Sequence, residues 1–109
     1  MADIQEHKAA LAKYTSSIND AALAGMAKTY ALVLNNADAR HVACTDASEK
    51  ETVRQNFLKK KLGLTNSDAD LDAAIEAVCL KMKEDRLKSR LVFYYLLAEQ
   101  YKLLGNFVK

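Results

Sequence analysis

Leu71, Ala74, Ile75, Val78, Cys79 and Met82 recur at steps of three and four residues, which on a helix aligns them along one side. Leu23, Met26, Ala27, Tyr30, Val33 and Leu34 repeat the pattern upstream, and Ile4, Leu11, Tyr14 and Ile18 give a sparser version of it. Proline is absent and there are only three glycines, which favours helices joined by short connections. The pattern predicts an all-α fold, a compact bundle of about five helices over approximately 3–15, 19–35, 47–62, 68–83 and 86–104.

Capping chemistry sets these limits. Ser17 and Asn19 are rival caps for the second helix. Asp46 with Glu49 three residues on resembles a capping box, and Gly63 suits the left-handed position after the helix it starts. Ser67 caps the next helix, where Asp68, Asp70 and Asp72 complement the positive end of the dipole. Gly105 is the expected stop of the last helix, after Leu104. A break near Glu84 and Asp85 and one continuous helix over 68–104 both fit the pattern.

The run Leu91, Val92, Phe93, Tyr94, Tyr95, Leu96, Leu97, Ala98 is apolar on every side of the helix, so every side must be covered. Two arrangements satisfy it. In one, this is a central core helix surrounded by the others. In the other, one face makes the core and a second face, drawn from Leu91, Phe93, Tyr94, Leu97, Tyr101 and Leu104, makes a homodimer.

Length changes the picture little: 109 residues make one domain, 1–109, with a core that needs no staples. The longest apolar run has eight residues, too short for a membrane span. Asp3 and Glu6 stand where a secretory signal would be apolar, so a cytoplasmic protein is expected. The two cysteines, Cys44 and Cys79, belong to no CxxC pair, and in a cytoplasmic chain they are expected to be separate thiols.

Candidate chemistry is sparse. His41, Cys44 and Asp46 are the one His, Cys and Asp cluster, imaginable as a nucleophile with its base or as part of a metal site. His7 is the only other histidine, so no metal is expected; a small packed thiol and a helix cap account for Cys44 and Asp46. Asp68, Asp70 and Asp72 open like a calcium loop, but Ala73 and Cys79 stand where that loop needs glycine and a bidentate glutamate. No Gly-rich phosphate loop, GxSxG or HExxH occurs. The net charge is +2, with −1 over residues 1–50 and +3 over 51–109. The excess lies in two clusters, Lys59, Lys60, Lys61 and Lys81, Lys83, Arg86, Lys88, Arg90, which would hold phosphates if they shared a face. No aromatic residue interleaves with them, so stacking on single-stranded bases is unsupported.

Val53-Arg54, the run from Leu58 to Leu64, Val78-Cys79, Lys81-Met82-Lys83, Asp85-Arg86, Lys88, Arg90 and the run from Phe93 to Glu99 together resemble a family of short bacterial proteins classed as a domain of unknown function. The likeness is clearest over 53–99 and covers nearly the whole chain. It implies a compact, all-helical, self-associating protein, and it brings no reaction, cofactor or catalytic residue. The expectation is a homodimeric interaction or accessory module without catalytic activity or cofactor. The alternative is binding of nucleic acid or another anionic ligand through the two basic clusters.

Overall fold

The computed structural model describes residues 8–9, 11–15, 18–30, 41–42, 44, 46–83 and 88–107. The fold is all-α. Among these residues four helices follow one another: α1 (Asp20–Thr29), α2 (Ala47–Thr52, continuing as a π-helix over Val53–Lys61), α3 (Asp68–Lys81) and α4 (Arg90–Gln100). A 3-10 turn follows at Leu104–Phe107. A two-residue antiparallel ladder joins β1 (His41–Val42) to β2 (Lys88–Ser89), with His41 opposite Ser89 and Val42 opposite Lys88. Of the helix expected over 3–15, residues 8, 9 and 11 are helical, and the Ala12 N–H donates to the Lys8 carbonyl at 3.0 Å. The remainder of its first half, like 31–35 of the second expected helix, lies outside the described residues. No helix among the described residues is long and apolar enough to cross a membrane.

Three helix starts follow their caps. Asn19 is the cap of α1, its Oδ1 accepting from the Ala22 N–H at 3.1 Å, and its own N–H donates to the buried Tyr95 Oη at 2.8 Å. Asp46 accepts from Ser48 at 2.9 Å and Ser67 from Asp70 at 3.3 Å. Glu49 does not close the capping box; its carboxylate takes Arg90 instead. Gly63 has a φ of +69°, as a left-handed stop requires.

The last helix differs from expectation at both ends. Lys88 and Ser89 are extended because they pair with His41 and Val42, and Ser89 then caps α4, accepting from Val92 at 3.4 Å. The 68–104 stretch is therefore two helices. At the other end Lys102, not Gly105, takes the left-handed turn, with a φ of 59°. The Leu103 N–H reaches the Ala98 carbonyl at 2.8 Å and the Lys102 N–H the Glu99 carbonyl at 3.0 Å, the paired bonds of a Schellman stop.

The π-helical segment has a reason in its side chains. Val53, Phe57, Leu58 and Leu62 are buried, while Gln55, Asn56, Lys60 and Lys61 are exposed. Both sets advance by steps of four and five from turn to turn. An α-helix would smear them around its axis; a helix closed by bonds to the fifth residue keeps each on one side. The Leu62 N–H accordingly donates to the Phe57 carbonyl at 2.9 Å.

Of the two arrangements open to α4, the core helix is what the fold displays. Every residue from Arg90 to Ala98 is buried, and α1, α3, the ladder and the 3-10 turn pack around it. Leu91, Phe93, Tyr94 and Leu97, considered as an interface, are inside the chain's own core; Tyr101 and Leu104 are half-buried against it. The apolar girth of this helix is thus consumed within one chain, and it presents no free face at those four residues.

Candidate functional site

Three near-parallel rings run through the core. Phe57 stacks on Tyr94 at 4.0 Å and 8°, and Phe107 lies beyond Phe57 at 6.3 Å and 12°. Tyr30 meets Tyr94 edge-on at 5.1 Å. A cation stands at each end: the Arg90 guanidinium 5.5 Å from the Tyr94 ring, and Lys61 Nζ 5.7 Å from the Phe107 ring. Arg90 is 6% exposed, donates to Tyr94 Oη at 2.8 Å and is paired with Glu49. Phe57, Tyr94, Phe107 and Arg90 are buried, while Lys61 is exposed and Tyr30 half-buried, so the stack is part of the core with its Lys61 end at the surface.

Burial raises the pKa of Tyr30, Tyr94, Tyr95 and Tyr101 above the ordinary value of 10.0. The unfolded chain releases these protons near 10 while the folded chain retains them. Their contribution to stability is therefore complete below pH 10 and falls as pH rises above it. Denaturation midpoints measured from pH 8 to pH 11 are expected to be flat at first and to drop above about 10. Absorbance at about 295 nm should show phenolate forming late and together with unfolding.

Among the described residues the two basic clusters stand at opposite ends of α3. Lys59 is bound to Asp68 at 2.5 Å, at the start of α3, where Lys59 and the Arg54 charge hold the Asp68 carboxyl below its usual range. Lys81 and Lys83 lie at the other end of the same helix, about 20 Å away by the α-helical rise. Lys60 is exposed, Lys61 covers Phe107, and Arg90 belongs to the core. Arg90 is thereby withdrawn from the proposed anion-binding set. Arg86 and the side chain of Lys88 lie outside the described residues. Arg54, beside Lys59, is spent on Asp72 at 2.8 and 3.1 Å.

Cys44 and Cys79 form a disulfide, which overturns the expectation of separate thiols. Residues 35 apart meet, with a Cα separation of 6.0 Å, because α2 and its π-helical extension run out and α3 returns alongside. With its sulfur bonded to Cys79, Cys44 offers no thiolate to a substrate or a metal in this state. The side chain of His41 and all of His7 fall outside the described residues. Among the described residues no three His, Cys, Asp or Glu side chains are gathered as metal ligands.

One surface feature stands out. Leu80 is 67% exposed, the only large apolar side chain so placed among the described residues. Its neighbours in α3, Ala77, Val78 and Lys81, line a groove of about 270 Å³ together with Leu96, Glu99 and Gln100 of α4. Ala77 and Ala73, one and two turns back, are also exposed. The signal was present in the sequence: nine residues from Leu71, Leu80 falls half a turn away from the stripe that builds the core, an apolar residue on the polar side. A comparison with curated proteins found no match. Over residues 6–104 the chain matches the family described as "Protein of unknown function (DUF2853)". With nearly its full length matched and an all-helical fold, the chain belongs to this family of unknown function.

Proposed function

We propose that this protein is a non-catalytic interaction module of the cytoplasm that works as a homodimer, and that its self-association surface is the outer side of α3. The exposure of Leu80 beside the α3/α4 groove carries this reading. The patch holds both a protruding apolar side chain and a recess of apolar floor, Ala77, Val78 and Leu96. Its two walls carry opposite charges, Lys81 on α3 and Glu99 on α4. A two-fold axis needs a surface complementary to itself. Here each Leu80 would enter the other copy's groove and each Lys81 would face the other copy's Glu99. Desolvating each leucine contributes about 1.5–3 kcal/mol toward association. Of the candidate catalytic groups that are described, Cys44 is held in a disulfide and Asp46 serves as a helix cap.

Light scattering over a concentration series tests the proposal. The molar mass is expected to rise from the 12.1 kDa of one chain toward twice that value. A mass that stays at one chain up to near-millimolar concentration overturns the homodimer.

A further inference from the structure

We infer that the Cys44–Cys79 disulfide is a reducible latch, and that thiol–disulfide exchange frees the Cys44 turn and the first part of α2 while the helical core stays folded. The inference does not rest on the self-association reading. Ala47–Thr52, the α-helical half of α2, buries none of its residues. Of the described residues just before it, Val42 belongs to the core, and Cys44 is half-buried. This stretch is therefore an element with little apolar anchorage of its own, the kind that opens locally at low cost. What ties it down are the disulfide, the Lys50–Glu76 and Glu49–Arg90 ion pairs and the two-residue ladder. Lys50 and Glu76 are both partly open to solvent, so their pair is a weak tether. The Glu49–Arg90 pair is more buried and holds more firmly, and the disulfide is the covalent tether that a thiol can release.

The two cysteines differ in access. Cys79 is 7% exposed within α3, whereas Cys44 sits half-buried in a turn. A reductant thiolate attacks Cys44 Sγ, forming a mixed disulfide there and expelling Cys79 as a thiolate that takes up a proton. A second reductant thiol then attacks the reductant's sulfur in that mixed disulfide. Cys44 leaves as a thiol and the reductant as its own disulfide, so two electrons and two protons pass to the protein. An oxidised thiol pool runs the sequence in reverse. A reducing compartment thus holds the released state and an oxidant restores the latched one.

Hydrogen exchange followed by mass spectrometry on the full chain tests this, comparing untreated protein, protein treated with dithiothreitol, and the Cys44→Ser/Cys79→Ser double variant. Reduction is expected to speed exchange at the 46–52 amides about tenfold or more while α4 changes less than about twofold. The double variant should match the reduced protein with or without dithiothreitol, and glutathione disulfide should restore slow exchange only in the wild type. Equal exchange at 46–52 in the two redox states would sink the latch. So would loss of protection in α4 together with 46–52, because the bond would then be a staple for the whole fold. Two thiols open to alkylation in air-oxidised protein would also overturn it.

Discussion

Phe57→Ala is expected to cost about 3–5 kcal/mol of folding stability, among the largest effects any single truncation in this chain will have. Phe57 is 1% exposed, so the whole ring leaves a void in the core. The loss exceeds that of an ordinary core side chain because Phe57 is the middle member of the ring stack. It contacts Tyr94 at 4.0 Å and Phe107 at 6.3 Å, and parallel aromatic pairs add about 0.5–1.5 kcal/mol beyond burial. Unfolding in urea monitored by circular dichroism measures the effect. At this chain length the same loss lowers the melting temperature by about 12 °C or more. Asn56→Ala supplies the contrast. Asn56 is adjacent in sequence but exposed, and its change should stay within about 0.5 kcal/mol. Similar losses at the two positions would mean that the π-helical phasing is wrong.

Gly25→Ala is expected to destabilise by about 2–3 kcal/mol, against the usual sign for a helix interior, where the exchange gains about 1 kcal/mol. Gly25 lies within α1, and a methyl there would overlap the backbone carbonyl oxygen of Phe107 and stand 3.0 Å from its carbonyl carbon. No rotamer relieves a clash with backbone. The 3-10 turn must move away from α1, and Phe107, 2% exposed, loses its burial and its place against Phe57. Denaturation measures the loss, and the near-ultraviolet dichroism of the ring stack should weaken. A Gly25→Ala protein more stable than the wild type would show that the 3-10 turn does not dock there.

These two sites show what local pattern conveys and what it does not. Asp46 and Ser67 were legible as caps, and Asn19 as one of two rivals with Ser17, because the bond that makes a cap spans only two or three residues. The ends of α4 were not, because long-range contacts set them. Lys88 and Ser89 are extended through pairing with His41 and Val42. At the far end, Lys102 accepts a left-handed conformation that a lysine finds costly, and the chain then leads into the turn that brings Phe107 to Gly25. The extent of the helix Val53–Lys61 was readable, yet its phasing needed the four-and-five spacing to be weighed against an α-helical turn.

For the candidate site, proximity in sequence misled in both directions. Lys88 and Arg90 read as members of one basic cluster, yet Arg90 turns inward to Glu49 and Tyr94. Cys44 and Cys79 read as unrelated thiols, yet the antiparallel return of α3 joins them. The over-apolar run from Leu91 to Ala98 fitted either a central core helix or a partner surface, and the fold spends it on its own interior. The residue left over is Leu80, visible all along as an apolar position on the wrong side of the α3 stripe.

The central claim is that α4 is interior and that association goes through α3, and one paired measurement addresses it: light scattering with circular dichroism on Leu80→Glu and Leu97→Glu. Leu80→Glu is expected to remain folded, with the helical signal of the wild type, and to hold the 12.1 kDa mass of a single chain where the wild type is dimeric. Leu97→Glu, which places a charge at a fully buried position, should lose its fold. A folded, monomeric Leu97→Glu beside a dimeric Leu80→Glu would contradict the account and put the interface on α4.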